Sequence, residues 1–212
     1  MCGAQVKTID SRTALLVVDM QQGFDDPSWG ARNNPEAELR VAALLHHWRR
    51  LSAPVIHIHH CSTSPAGCFR PATPGNRPKL QALPRDGEVV YQKSVNSAFI
   101  GTTLEEDLRR RKIASLVVVG MTTNHCVSTT VRMAGNLGFC TYVVADATAA
   151  FDRAGADGRP RPAAEVHNAA LGDLHMEFAD VVDSETVIRA LPLGRCTTPQ
   201  VKGAYFGQCR QR

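Results

Sequence analysis

The segment 116–146 reads LVVVGMTTNHCVSTTVRMAGNLGFCTYVVAD, and its pattern decides the fold. Leu116 to Val119 form a short apolar run rich in β-branched side chains and closed by Gly120, as a buried strand is. A second such run begins near Cys140. Between them Cys126, Thr130, Met133 and Leu137 recur at offsets of four, three and four, the period of one helix face, and Gly138 reads as a C-terminal stop. The unit is strand, turn, helix, strand. In such a unit the turn after the first strand opens at the carboxyl edge of a parallel sheet, where helix N-terminal amides face outward. Cys126 sits in that turn, and a cysteine at the first turn of a helix is expected to favour the thiolate. Taken alone, the same residue also reads as a small buried hydrophobe.

Working outward, Ala14 to Val18 predict the first strand, ended by Asp19. Helix one is predicted after Asn34-Pro35, with Leu39, Ala42, Ala43 and Leu45 facing inward. Strands follow at Val55 to His59 and Glu88 to Gln92, the latter ending before Lys93. Thr103 and Glu106 read as a capping box for a helix that buries Leu104 and Leu108. A helix over Ala163 to Met176 presents Val166, Ala169, Ala170 and Leu174. The last strand spans Phe178 to Val182, and Ser184 caps a helix over Glu185 to Leu191 that Pro192 stops. This alternation predicts a three-layer α/β/α sandwich around a mostly parallel, roughly six-stranded, Rossmann-like sheet.

The 212 residues, 43% of them hydrophobic, suit one domain over 1–212, with an N-terminal arm at 1–13 and a tail at 195–212 carrying Cys196 and Cys209. Seven cysteines are an odd count in a chain too long for a disulfide-stapled mini-fold, and no apolar signal segment opens it, so a reducing cytoplasm is expected. No apolar run reaches membrane-spanning length. The net charge of +4 is spread along the chain. Its densest cluster, Arg109 to Lys112, ends a predicted helix, where cations meet the negative dipole end, so neither nucleic acid nor membrane is an expected partner.

His57, His59, His60, Cys61 and Cys68 are metal-ligand types. On a strand, however, His57 and His59 share one face while His60 turns to the other, and no carboxylate stands at ligand spacing. No metal or cofactor is expected. The Pro, Gly, Ser and Thr-rich stretch from Cys61 to Gly87 is long for a compact domain and is expected to shape substrate entry.

Three segments share a resemblance. GMTTNHCVSTTVRMAGNLGF resembles the nucleophile segment of the isochorismatase-like cysteine hydrolases, LLVVDMQQGF at 15–24 the Asp-x-Gln segment after their first strand, and KSVNSAF at 93–99 their Lys-x-x-x-Ser-Ala-Phe segment. In chain order, with compatible elements between them, they extend the resemblance over roughly residues 10–191. The resemblance implies Asp19 as base and acid, Lys93 as charge partner and Cys126 as nucleophile. It also implies an oxyanion hole at the backbone N–H groups of Thr122 and Cys126, with a cis peptide between Met121 and Thr122. The expected activity is hydrolysis of a C–N bond in a small amide, ureide or lactam through a thioester, with assembly as a homodimer or homotetramer. Nicotinamidases of the same superfamily carry a metal through an Asp-x-His strand segment and a later His. Here Ile56 and His57 stand where that segment would be sought, and no later His precedes His125, which argues against both that metal and nicotinamide as substrate.

Phe24, Trp29 and Phe151, in loops beside the three segments, are candidate pocket walls. Gln21 and Asn96 are candidates for amide contacts to substrate or for bracing the loops, and His60 is a candidate substrate contact. The alternative reading is a redox-sensing or interaction protein on the same fold, with Cys126 as its reactive thiol.

Overall fold

The computed structural model describes residues 9–191; the first eight residues of the expected arm, Pro192 and the tail with Cys196 and Cys209 lie outside the described residues. Among the described residues, eight strands and five α-helices are arranged in the order β1 (Ala14–Val18), α1 (Ala37–Arg50), β2 (Val55–His60), β3 (Val89–Lys93), α2 (Leu104–Arg110), β4 (Ser115–Met121), α3 (Ser128–Asn136), β5 (Cys140–Ala149), β6 (Arg153–Ala154), β7 (Pro160–Arg161), α4 (Ala163–Leu174), β8 (Asp180–Val182) and α5 (Ser184–Ala190). Six strands form one sheet in the order β3-β2-β1-β4-β5-β8, every pair parallel. β6 and β7 form a separate antiparallel hairpin.

Strand alternation divides the apolar residues between two faces. Leu15, Val17, Val117, Val119, Tyr142 and Val144 pack with Val41, Leu44, Leu45 and Trp48 of α1 and Val187 of α5. Leu16, Val18, Ile56, Ile58, Val118 and Val143 pack with Leu104 and Leu108 of α2, Val131 and Ala134 of α3, and Leu171 and Leu174 of α4. The molecule is therefore a three-layer α/β/α sandwich, with the strand order reversing between β1 and β4. In open α/β sheets the crevice outside that reversal is where ligands bind. Among the described residues no helix is long and apolar enough to cross a membrane.

Several local expectations change. In α1 the inward stripe is Ala37, Val41, Leu44, Leu45 and Trp48, while Leu39 is 61% exposed, Ala43 is exposed and Ala42 is only half-buried. The stripe is set by Trp48, whose indole N–H donates to the Thr13 carbonyl at 2.9 Å. Thr103 precedes α2 with a near-helical backbone and caps nothing, so the capping box does not form. Asp183, not Ser184, caps α5, its side chain accepting from the Thr186 N–H. α4 ends at Leu174 and buries His167 and Leu171, while Ala169 is exposed. The last strand begins at Asp180 rather than Phe178. Within the Arg109 to Lys112 cluster, Arg109 bonds Glu105 and the Leu137 carbonyl and lies 5.0 Å above the Phe139 ring; Arg110 pairs with Asp107.

Gly120 is not a stop. β4 runs through it to Met121, and the β4–β5 register shifts between Val118 and Gly120. Gly120 has φ +123°, and a Cβ there would stand 1.8 Å from the Val18 carbonyl oxygen. Only glycine lets β1 and β4 approach at the crevice. Gly120→Ala is expected to cost about 3 kcal/mol in urea unfolding. Gly138→Ala, at φ +84° with open space around it, is expected to cost only about 1 kcal/mol. Equal losses at the two sites would contradict the contact.

Candidate functional site

Adjacent strand ends deliver the polar groups in a row. Lys93 is the last residue of β3 and His60 the last of β2, directly paired in register. Asp19 comes directly after β1, and Thr122 directly after β4. Asp19 turns the chain at φ +51°, a left-handed conformation that aspartate tolerates better than most residues, and its N–H donates to the Ile58 carbonyl at 2.9 Å. The Met121–Thr122 peptide is cis.

Lys93 Nζ donates to Asp19 Oδ2 at 2.7 Å, with both side chains almost fully buried. It also lies 3.3 Å from His60 Nδ1. Among the described residues, Asp19 Oδ1 is buried with no hydrogen-bond partner at ordinary distance. An Asp19 carboxylate oxygen, a ring nitrogen of His60 and Cys126 Sγ all lie within 4.8 Å of one another. Cys126 Sγ is 3.9 Å from Asn96 Oδ1. The three candidate catalytic side chains therefore come together, with His60 beside them.

The turn that carries Cys126 is a single π-helical turn, Thr123–Val127, ahead of α3. The Thr122 carbonyl accepts from the N–H of His125 at 3.1 Å and of Val127 at 3.2 Å. The wide turn rotates the helix behind it, so α3 buries Ser128, Thr130, Val131 and Ala134, and Met133 and Leu137 are only half-buried.

The expectation of a resting thiolate is corrected. Burial pushes the Cys126 thiol up to about 12, the Asp19 charge adds to the rise, and Lys93 offsets only part of it. Burial also raises the Asp19 carboxyl, against Lys93, which favours its ionised form. His60 is lowered by burial and then by Lys93, so its ring is held neutral.

Gln21 is a brace. Its amide N–H groups donate to the carbonyls of His60 at 3.0 Å and Asn76 at 2.8 Å, and its Oε1 accepts from the His60 N–H at 2.8 Å. Both donors are thereby withdrawn from any substrate. Phe24, Trp29 and Phe151 form one cluster, with ring centroids 5.1–5.9 Å apart. Phe69, from the long loop, completes it 4.7 Å from Phe24 and meets His60 edge-on at 5.9 Å. Sequence reasoning missed Phe69 because nothing local marks it among loop residues.

It also missed an ionic tie behind this wall. Arg32 grips Glu38 through two bonds, at 2.6 and 2.9 Å, and lies 3.7 Å from Met121 Sδ. Lys79 reaches Glu38 at 3.2 Å and also pairs with Asp25. Burial works against the Glu38 charge, but Arg32 and Lys79 outweigh it and hold that carboxyl below its ordinary range.

Among the described residues, Asp19, His60 and Cys126 are the group of His, Cys, Asp or Glu donors close enough to share one ion; the His57 to Cys68 cluster does not converge. His57 instead bonds Glu88 at 2.9 Å. A surface groove of about 590 Å³ lies between α3 and α4, and another of about 430 Å³ lies beside Gln22 and Cys68; neither is lined by Asp19, Lys93 or Cys126.

The Isochorismatase domain model matches residues 13–186. The isochorismatase family protein YrdC of Bacillus subtilis is 45% identical over 180 residues, covering 85% of this chain and 96% of that protein. Nicotinamidase 3 of Arabidopsis thaliana is 30% identical over 191 residues, covering 84% of this chain and 88% of that protein. A crystal structure of an isochorismatase-family protein from Chromobacterium violaceum superposes with TM-score 0.86 at 44% identity, covering 89% of this chain and 98% of that one.

A thiol this protonated should alkylate slowly without substrate. The rate of Cys126 modification by iodoacetamide, followed by peptide mass, is expected to rise about tenfold per pH unit from pH 7 to 9 with no plateau. Asp19→Asn removes the negative neighbour, lowers the thiol pKa and accelerates the reaction at pH 8; Lys93→Met slows it. A plateau between pH 6 and 8 would contradict this electrostatic picture.

Proposed function

The chain belongs to the isochorismatase family, and from that premise we propose that it is a cysteine-dependent amidohydrolase cleaving a C–N bond in a small amide, ureide or lactam. The observation that carries this reading is the closeness of Cys126 Sγ to an Asp19 carboxylate that Lys93 holds through Oδ2 at 2.7 Å. A buried carboxylate with one oxygen that no described residue hydrogen-bonds at ordinary distance supports a role in taking the thiol proton.

In this mechanism Asp19 Oδ1 takes the thiol proton as the sulfur attacks the substrate carbonyl carbon. The C–S bond forms, the carbonyl π electrons move to oxygen, and the oxyanion is met by the N–H groups of Thr122 and Cys126. Asp19 returns the proton to the leaving nitrogen as the C–N bond breaks, giving ammonia or an amine and a thioester on Cys126. Water then attacks the thioester, with Asp19 taking its proton and passing it to the departing sulfur. Lys93 keeps the carboxylate charged between these transfers and limits the repulsion between it and a forming thiolate.

Phe24, Trp29, Phe69 and Phe151 supply an apolar wall for the body of the substrate, and His60 a polar contact beside it.

The test is ammonia release across a panel of small primary amides, ureides and lactams, with lactam opening followed by mass. At least one compound is expected to turn over. With that compound, Cys126→Ala is expected to lower kcat by about 10⁴-fold or more while leaving the urea midpoint within error. Turnover that survives in a folded Cys126→Ala variant would remove the covalent mechanism.

A further inference from the structure

A buried titratable side chain beside the Cys126 turn has no part in the mechanism proposed above. His167 lies on a buried stripe of α4 whose other members, Ala163, Ala170, Leu171 and Leu174, are apolar. A polar ring in such a position costs stability unless it is hydrogen-bonded. Its Nδ1 shares a hydrogen bond of 2.9 Å with Thr123 Oγ1, 44 residues earlier in the chain, and the two residues are 5% and 0% exposed. Burial lowers the pKa of His167, so the ring is neutral and can take either side of a bond with a hydroxyl. We propose that His167 is a positioning residue, which holds the Cys126 turn in place through the Thr123 hydroxyl.

Thr123 opens the π-helical turn Thr123–Val127, next to Thr122 and on the same turn as Cys126. The bonds from the His125 and Val127 N–H groups to the Thr122 carbonyl, at 3.1 and 3.2 Å, close this turn on itself. They do not tie it to another layer of the fold. Thr123 is β-branched and stiff about χ1, so a bond that fixes its hydroxyl also fixes the backbone that carries it. α4 is a firm anchor for that bond. Asp152 accepts from the Ala163 N–H at 2.7 Å at its start, and Leu171 and Leu174 pack in one cluster with Val131 and Ala134 of α3. The catalytic consequence rests on the amidohydrolase reading: the N–H groups of Thr122 and Cys126 and the Cys126 sulfur all move with this turn. A misplacement of about 1 Å, caused far from the chemistry, can cost about 100-fold in rate.

The test uses the full chain and the variants Thr123→Val, His167→Leu and the two combined, all of which remove the bond. Each is followed by urea unfolding, by steady-state hydrolysis of an amide that the wild type turns over, and by amide hydrogen exchange of the peptide spanning 121–128. The single variants are expected to lower kcat at least about tenfold with KM changed less than about threefold, and to speed exchange in that peptide about tenfold while exchange in β1 and β2 is unchanged. Thr123→Ser and His167→Asn, which keep a hydroxyl and a short polar partner, restore most of the loss. The double variant leaves neither side of the bond unpaired and so regains stability, yet its kcat stays as low as that of the single variants and falls no further. A merely structural bond would return kcat together with stability. The proposal is overturned by that return, by Thr123→Ser being as impaired as Thr123→Val, or by kcat within about twofold of the wild type in a folded single variant. If a single variant does not fold, the double variant decides. If the wild type turns over no amide, the hydrolase reading fails and exchange alone decides: faster exchange in 121–128 upholds the tie, and unchanged exchange overturns it.

Discussion

One buried ion pair governs this molecule. Lys93 and Asp19 meet at 2.7 Å with side-chain exposures of 0% and 1%, at the carboxyl edge of the sheet. Removing two charges from water is expensive, and their attraction seldom returns more than that cost, so such a pair contributes little net stability. What it provides is a neighbour that favours the ionised form of a carboxyl that burial pushes up. Lys93 occupies one oxygen and leaves the other for the sulfur. The same arrangement explains why the thiol rests protonated: burial and the neighbouring carboxylate both oppose a second negative charge, and one ammonium cannot neutralise two anions.

The sheet order makes the pair possible. β3, β2, β1 and β4 stand side by side, so four chain segments far apart in sequence place Lys93, His60, Asp19 and the Cys126 turn along one rim. Loops fix the details. Gln21 ties the loop after β1 to the end of β2 and to Asn76, and Arg32, Glu38 and Lys79 bind the aromatic wall to α1 beside Met121. Gly120 permits the close approach of β1 and β4 that brings Asp19 near the Cys126 turn.

The parts of this arrangement that are legible in the sequence are those written in local pattern. Apolar runs ending at Asp19, Lys93 and the turn before Cys126 mark strand ends, and strand ends of a parallel sheet share one edge. Helix faces are less legible. Leu39 falls on the solvent side because Trp48 and Val41 fix the roll of α1, and the π turn shifts α3 so that counting from Cys126 lands beside its buried stripe. Gln21, Phe69 and Lys79 take their roles from partners dozens of residues away, which no spacing reveals. The thiol's ionisation is misjudged from sequence because a helix N-terminus is a local signal, whereas burial and Asp19 are products of the fold.

The central claim is that the Asp19–Lys93 pair delivers Cys126 to a substrate carbonyl as a covalent nucleophile. Its most direct test is to quench the enzyme during steady turnover of an amide it hydrolyses, map the chain by mass, and repeat with hydroxylamine present. An acyl group on the Cys126 peptide, diverted to the hydroxamate by hydroxylamine, is the result this account predicts. Ammonia release with neither an adduct on Cys126 nor any hydroxamate would contradict it.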